Sequence, residues 1–223
     1  MNFVQWLNSL DELLYELMSW LVFFPVTLWR IVARPLVTMR YAEDQLKLEQ
    51  ARQYRGTVSP PIMLILAAAL GQAIGMAAGD TSRIITSHRG LANLVDDNTT
   101  LLLLRIVLYA VFALTMAARK VQRSSDSLDR DTLKAPFYAQ CYLTAPFALV
   151  LSMGSLGIGS TDEELAAAAL LIQAAAFFIY GTVETLWFKH ELSQSAARSI
   201  ADATTGMVLS LALFFAAAFL FRA

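Results

Sequence analysis

Five apolar stretches, each long enough to cross the hydrocarbon of a bilayer, constrain this chain more than any other feature. A helix rises about 1.5 Å per residue, so about 20 apolar residues cover roughly 30 Å of hydrocarbon. The stretches are residues 62–79, 100–118, 136–158, 164–188 and 203–221. Strands of about ten residues with alternating polarity, which a membrane barrel needs, do not occur in the sequence. The sequence therefore predicts an all-α, polytopic transmembrane helical bundle with about five spans.

Composition agrees with exposure to lipid and argues against several classes of function. The chain is 57% hydrophobic and 16% charged, whereas about a quarter of a soluble domain is charged. Its net charge of −1 offers no basic surface for nucleic acid. The single cysteine, Cys141, cannot form an internal disulfide, and His88 and His190 lie in different loops. We expect no enzyme activity, no cofactor, no metal and no nucleic-acid partner. An acidic N-terminus without a basic secretory-signal segment predicts that the mature chain begins near Met1.

The distribution of Lys and Arg predicts the orientation of the spans. Most of these residues lie before the first span, between spans two and three, or between spans four and five. They are Arg30, Arg34, Arg40, Lys47, Arg52, Arg55, Arg119, Lys120, Arg123, Arg130, Lys134, Lys189 and Arg198. The other side carries Arg83, Arg89 and Arg222. Because positive residues stay in the cytoplasm, we expect a multi-pass cell-membrane protein, of the inner membrane in a bacterium. Its basic N-terminal segment would be cytoplasmic and its C-terminus outside.

Residues 1–57 are expected to form interfacial and juxtamembrane helices ahead of a five-helix transmembrane domain at 58–223. Residues 18–29 are strongly apolar but short, and aromatic residues near them favour the membrane interface. We favour an amphipathic helix in the cytoplasmic leaflet. Its headgroup contacts would be Arg30, Arg34, Arg40, Trp20 and Trp29. The alternative is a sixth span at 13–33, which places Met1 outside but buries Glu16 and contains Pro25, and both features are unfavourable.

Local signals predict three further elements. Residues 40–55 are typical of a charged helix that stops at Gly56. Thr161 and Glu164 have the spacing of a capping box ahead of the fourth span. Residues 80–99 carry apolar side chains at roughly helical spacing, which predicts a short helix on the outer surface.

Small residues recur every fourth position along the first span. They are Ala67, Gly71, Gly75 and Gly79. This spacing forms a flat face that lets another helix approach closely. The face either packs within one subunit, which we favour, or meets its copy in a neighbouring subunit or lines a narrow conduit.

Arg105 is the only Lys or Arg inside the second span, and we expect polar side chains to gather around it. Gln72, Ser152 and Gln173 lie at similar depths in the first, third and fourth spans, by the rise per residue. A charged residue at this depth is a candidate functional site. Arg105 either reaches the headgroups and serves as a structural contact, which we favour, or binds an anion or a substrate.

Glu184 is the corresponding residue near the cytoplasmic end of the fourth span. Gln140, Tyr142 and Thr115 reach a comparable depth from neighbouring spans. Glu184 either carries a proton or cation, or forms an ion pair, which we favour. The possible partners are Arg119, Lys120 and Lys189.

Three local patterns accompany this topology. Ser59-Pro60-Pro61 leads into the first span, Tyr142 precedes Pro146 in Y-L-T-A-P, and residues 29–41 read WRIVARPLVTMRY. With five spans and an external C-terminus, the chain resembles the Yip (Ypt-interacting protein) family and small bacterial proteins labelled permease. The acidic-aromatic motif and glycine–tyrosine repeat of eukaryotic Yip proteins are missing here. The resemblance implies a compact helical module that associates with other membrane proteins.

Three functions of different classes follow from these features. The first is a non-enzymatic assembly or accessory module that self-associates as a homo-oligomer or joins a larger membrane complex. The alternative is an oligomeric channel or permease for a small ion or solute, based on the intramembrane polar residues. A third, a lipid-handling protein at the cytoplasmic surface, has only the basic segment 30–55 in its favour.

Overall fold

A computed structural model describes residues 3–79, 97–124, 126–158 and 160–220. Within those residues the chain is helical and has no strand, which confirms the predicted fold class. The helices are α1 (Phe3–Ala33), α2 (Pro35–Gln45), α3 (Pro60–Ala77), α4 (Asn98–Arg123), α5 (Arg130–Ile158), α6 (Glu163–Glu191) and α7 (Ala196–Leu220). A short 3₁₀ turn, Gln50–Arg52, lies between α2 and α3.

Six of the described helices are long and apolar enough to cross a membrane. Five of them correspond to the predicted spans, and the sixth is Leu14–Ala33 within α1. The architecture is that of a multi-pass helical membrane bundle, with one more candidate span than the five expected from the sequence.

Helix α1 continues through Pro25 and differs from the interfacial helix favoured above. A proline removes only one backbone hydrogen bond from a helix. The other backbone hydrogen bonds of α1 remain, as a helix in lipid requires. Thr27 Oγ1 accepts a hydrogen bond of 3.1 Å from the amide of Val58, just before α3. Leu17 shares a groove with Ala73, near the far end of α3. Helix α1 therefore lies antiparallel to α3 instead of crossing the end of the bundle.

Helix α5 forms the centre of the bundle and packs against α1, α2, α3, α4 and α6. Its spanning window is 61% buried, compared with 11% for α1, 11% for α6 and 22% for α7. Ala139, Ala145 and Ala148 on α5 are fully buried, and such small side chains let neighbouring helices approach closely. Helices α1, α6 and α7 therefore form the periphery, with most of their apolar side chains directed outward.

The small-residue face of α3 packs inside the chain. Ala67, Gly71 and Gly75 are buried, and a Cβ added at Gly71 would lie 2.6 Å from the Cβ of Ser152 on α5. Gly79 does not belong to this face. Its φ of +77° lies in the left-handed region, just after the last turn of α3, where glycine commonly ends a helix.

The charged helix predicted at residues 40–55 ends early, at Gln45. The cause is Tyr54, which folds back from the following loop. Its amide donates a hydrogen bond of 2.9 Å to Gln45 Oε1, and its hydroxyl donates one of 2.9 Å to the carbonyl of Ala42. The loop therefore packs beside α2 instead of extending it.

Helix α6 is capped by Asp162 and not by the predicted Thr161. The Asp162 carboxylate accepts hydrogen bonds from the amides of Glu164 and Leu165, and aspartate is a stronger N-cap than threonine. The surface helix predicted at 80–99 falls mostly outside the described residues. So do Arg83, His88, Arg89 and Arg222.

Candidate intramembrane polar site

A buried polar cluster lies between α5 and α6. Glu184 on α6 is fully buried, and so is Gln140 on α5. Gln140 Nε2 donates a hydrogen bond of 2.9 Å to Glu184 Oε2. Thr144 and Tyr180, one turn away on α5 and α6, are also buried and complete the group, which we call the Glu184 cluster.

Helical spacing brings these side chains together. Gln140 and Thr144 are four residues apart, as are Tyr180 and Glu184, so each pair lies on one face of its helix. The Tyr180 hydroxyl faces both Thr144 and Glu184. Its ring stacks on Phe147 with a centroid distance of 4.5 Å. The cluster is therefore a polar group inside an otherwise apolar interface.

The Glu184 cluster contains an unusual concentration of unsatisfied oxygen atoms. Five buried side-chain atoms lack a hydrogen-bond partner in the described part of the chain. Four of the five belong to the cluster: Gln140 Oε1, Thr144 Oγ1, Tyr180 OH and Glu184 Oε1. Each such atom costs about 1–3 kcal/mol, and native proteins contain few of them. Thr144 and Tyr180 carry hydroxyl hydrogens that can be donated inside the cluster, and Tyr180 faces Glu184. The remaining acceptor capacity therefore lies on Gln140 Oε1 and the Glu184 carboxyl, where a bound proton, cation or water molecule would use it.

Glu184 has no counter-charge among the described residues. The sequence analysis favoured an ion pair with one of three cations: Arg119, Lys120 or Lys189. That prediction is wrong, because none of the salt bridges found in residues 3–79, 97–124, 126–158 and 160–220 includes Glu184. An isolated carboxylate in apolar surroundings is strongly unfavourable. The group is therefore suited to hold a proton or to pair with a cation that enters the site.

Arg119 binds a different acid, Asp202, at the start of α7. Asp202 Oδ1 lies 2.8 Å from Arg119 Nη2 and 2.8 Å from Arg123 Nε. Its Oδ2 accepts a hydrogen bond of 3.0 Å from Gln194. This network joins α4 to α7 at the end of the bundle where the arginines and lysines concentrate, which we call the basic end.

Lys120 forms a second network at the basic end. Its ammonium lies 2.9 Å from Glu43 on α2 and 2.7 Å from Glu191 on α6. Burial raises the pKa of Glu43, and this effect exceeds the opposite effect of the Lys120 ammonium. The same ammonium lies 5.1 Å from the centre of the Trp187 ring, within the range of a cation–π contact. Trp187 is buried one turn from Glu184, so it lies between the cluster and this network.

The α5–α6 interface opens into a cavity towards the opposite end. The cavity has a volume of about 680 Å³ and is lined by residues that include Met153, Gly154, Gly157, Ser160, Leu165 and Ala169. Phe147 packs between this cavity and the cluster, with Phe177 at 5.0 Å and Tyr180 at 4.5 Å between ring centroids. Aromatic rings therefore close both sides of the Glu184 cluster.

Among the described residues, the side chains predicted to gather around Arg105 share no hydrogen-bond network with it. Gln72 Nε2 donates to the carbonyl of Asn98 at 2.5 Å, and Gln173 Nε2 donates to the carbonyl of Leu151 at 3.4 Å. The hydroxyls of Ser152 and Tyr109 are hydrogen-bonded at 2.8 Å. Arg105 is partly exposed and donates no hydrogen bond to a described residue. These side chains take separate partners because they lie on different helix interfaces.

Tyr142 and Thr115 also lie away from Glu184. The Tyr142 hydroxyl donates to the carbonyl of Val58 at 2.7 Å, beside the start of α3. Thr115 is hydrogen-bonded to Ser210 of α7. Of the three side chains expected near Glu184, only Gln140 contacts it.

The residues predicted to contact headgroups separate into three groups. Trp29, Arg30 and Arg34 line one cavity. Arg40 lies on α2 beside a different cavity that includes Trp187 and Glu191. Trp20 packs against the bundle core, about 15 Å along α1 from Arg30 by the helical rise, and its headgroup contact stays a prediction.

Sequence reasoning missed three important residues: Thr144, Tyr180 and Asp202. Tyr180 lies four residues before Glu184, and Thr144 four residues after Gln140, which is the signal for a shared helix face. Asp202 directly precedes the fifth apolar stretch, and Arg119 and Arg123 share one helix face at the end of the second.

Metal-site chemistry is not suggested by this arrangement. The described residues contain no group of three His, Cys, Asp or Glu side chains that could hold a metal ion. Comparison of the chain with known protein families, with curated proteins and with solved structures gave no match.

Proposed function

We propose that this protein is a membrane permease or channel for a small ion, and that Glu184 binds the ion during its passage. The observation that carries this proposal is the fully buried carboxyl of Glu184, which has no counter-charge among the described residues and lies beside Gln140, Thr144 and Tyr180. Ionisable residues inside a membrane are unfavourable and usually mark an ion or proton pathway. If position 184 served only to hold Gln140 in place, an amide side chain there would be enough and an acid would not be needed.

The surroundings of Glu184 support a route along the α5–α6 interface. The cavity near Gly154 offers access from one end, and the Lys120 network lies at the other. Phe147 and Trp187 separate the cluster from both. This arrangement is that of a closed site, so passage requires movement of these aromatic side chains. A proton is the smallest ion that fits the proposal, and a sodium or potassium ion is the next.

The positive charges at the basic end favour one orientation of the protein in the membrane. Positive residues favour the cytoplasmic side, so we propose that the basic end faces the cytoplasm. With six spans, both termini then lie outside. The membrane would be the cell membrane, the inner membrane in a bacterium.

Flux through reconstituted vesicles tests the proposed function. Wild-type protein in liposomes that contain a pH-sensitive dye is expected to dissipate a proton gradient, or a sodium or potassium gradient in parallel measurements. Glu184→Gln should abolish this flux, because the amide retains the size of Glu184 but cannot exchange a proton or neutralise a cation. Glu163→Gln, an exposed site in the first turn of the same helix, is the matched control. Equal flux in wild type and Glu184→Gln would refute the proposal.

The assembly or accessory module is the second candidate. The observation in its favour is the low burial of α1, α6 and α7, whose apolar side chains are available to another membrane protein as well as to lipid. The resemblance to Yip proteins implies the same role. Self-association through Gly71 loses its support, because Gly71 already lies against Ser152 of α5, and Gly75 is buried as well. Extraction from native membranes in a mild detergent tests this candidate. The accessory role predicts a stable particle that contains other chains. Recovery of this chain alone would exclude that role.

A further inference from the structure

A second cavity lies where α1 gives way to α2. It has a volume of about 540 Å³, and its lining includes Trp29, Arg30, Arg34, Val37, Tyr41 and Thr57. The candidate span of α1 ends at Ala33, which also lines the cavity. The cavity therefore lies at the end of the candidate span, where hydrocarbon would give way to headgroups.

The cavity is positively charged, and the described residues of its wall include no acid. Arg30 and Arg34 are the charged residues that line it. Neither forms a salt bridge within the described ranges, and Arg30 Nη1 donates one hydrogen bond of 3.3 Å to the carbonyl of Gly56. By contrast, Arg119 and Arg123 at the same end are held by Asp202. Most donor groups of Arg30 and Arg34 thus remain available to a ligand.

Two further kinds of side chain line the cavity. Tyr41 and Thr57 supply hydroxyl groups that are 3.3 Å apart. Trp29 is 71% exposed and Val37 64% exposed, so an apolar flank faces the surrounding lipid. Guanidinium and hydroxyl groups bind phosphate oxygens, and exposed tryptophan is typical of the membrane interface.

We propose that this cavity binds the phosphate group of an anionic glycerophospholipid. Arg30 and Arg34 would contact the phosphate oxygens, while Trp29 and Val37 would contact the glycerol and the first acyl carbons. The apolar flank and the depth of the cavity favour a lipid over free inorganic phosphate. This inference concerns a different part of the chain from the Glu184 cluster and is independent of the proposed ion flux.

Lipid binding to the full chain in detergent tests the inference. The delipidated protein is titrated with phosphatidylglycerol, with phosphatidylcholine and with inorganic phosphate, and bound species are counted by native mass spectrometry. Wild type should retain phosphatidylglycerol in preference to phosphatidylcholine. Arg34→Gln should weaken retention of phosphatidylglycerol by about tenfold, the effect of losing one hydrogen bond to a charged group. Arg30→Gln combined with Arg34→Gln should weaken it further.

Arg52→Gln combined with Arg55→Gln is the matched control, because it removes the same charge from an exposed part of the neighbouring loop. Arg34→Gln is the decisive variant, since the Arg34 side chain donates no hydrogen bond to a described residue and its loss should leave the fold intact. A control that weakens binding as much as the cavity variants would show diffuse attraction and overturn the inference. Equal binding of phosphatidylcholine, or binding of inorganic phosphate that displaces the lipid, would overturn it as well.

Discussion

Gly71 on α3 lies so close to Ser152 on α5 that a Cβ at position 71 would come within 2.6 Å of the Ser152 Cβ. Real Cβ atoms do not approach each other this closely, so the two helices can keep their separation only while position 71 lacks a side chain. The contact ties α3 to the central helix of the bundle and gives the small residues of α3 a role inside the chain.

Gly71→Ala should therefore lower the stability of the protein without changing its oligomeric mass. Overpacking of this kind costs about 1–3 kcal/mol. Thermal unfolding in detergent measures the first effect, and light scattering after size-exclusion chromatography measures the second. Gly56→Ala is the control, because nothing lies within 4 Å of a Cβ at that position. A smaller particle with unchanged thermal stability would instead place Gly71 at a subunit interface.

Asp202→Asn should destabilise the junction between α4 and α7. The substitution leaves Arg119 and Arg123 without the carboxylate that they share. We expect a loss of about 2 kcal/mol, below the range for a fully buried pair, because the Arg123 side chain is 45% exposed. Chemical or thermal unfolding in detergent checks the value. The exposed Asp126→Asn should change the stability much less, and an equal loss in both variants would contradict this account.

Glu43 should make the stability of the protein depend on pH. Its pKa is raised above the ordinary value of 4.5, mainly by burial, so the folded state holds this proton more tightly than the unfolded state. The resulting stabilisation is complete below the ordinary carboxyl pKa and is lost as the pH rises through the raised pKa. Glu43→Gln removes this loss, while Lys120 keeps Glu191 as a partner. The variant should therefore lose less stability than wild type as the pH rises from about 4 to about 7.

Melting temperatures measured across that pH range check the expectation for Glu43. Glu49→Gln, on the exposed loop after α2, should follow the wild-type curve. Parallel curves for wild type and Glu43→Gln would show that Glu43 does not contribute to the dependence.

Labelling in intact cells should place the N-terminus outside. Helix α1 runs antiparallel to α3, so its first residue lies at the end of the bundle opposite the basic end. An impermeant maleimide should label Asn2→Cys from outside, and Ser127→Cys, in the loop after α4, only after permeabilisation. The native Cys141 is buried and should give little background. Shielding of Asn2→Cys in intact cells would favour the interfacial helix over a sixth span.

The sequence predicted the helices well because the length and polarity of an apolar stretch are local properties. Glu184 was recognisable for the same reason, as an acid inside the fourth apolar stretch. The interfacial helix was favoured for residues 13–33 because Pro25 and Glu16 weaken their apolar pattern, although a single proline leaves most of the helical bonds in place.

The partners of Glu184 were not predictable from the sequence, because they depend on which helices are neighbours. Lys120 follows the second apolar stretch and was an expected partner of Glu184, yet it contacts Glu43 and Glu191. Thr144 and Tyr180 are common residues in a spanning helix and become notable only where α5 meets α6. Packing between helices, and not the pattern within each helix, decides the composition of the cluster.

The central position of α5 has a consequence for how the chain is assembled during synthesis. Helices α1 to α4 leave the ribosome before the helix against which they pack. Until residues 130–158 are inserted, Gly71 has no Ser152 to contact and Val58 has no Tyr142. The early helices therefore gain these contacts only after α5 has been inserted. Helices α6 and α7 follow and complete the bundle by packing on α5 and α4.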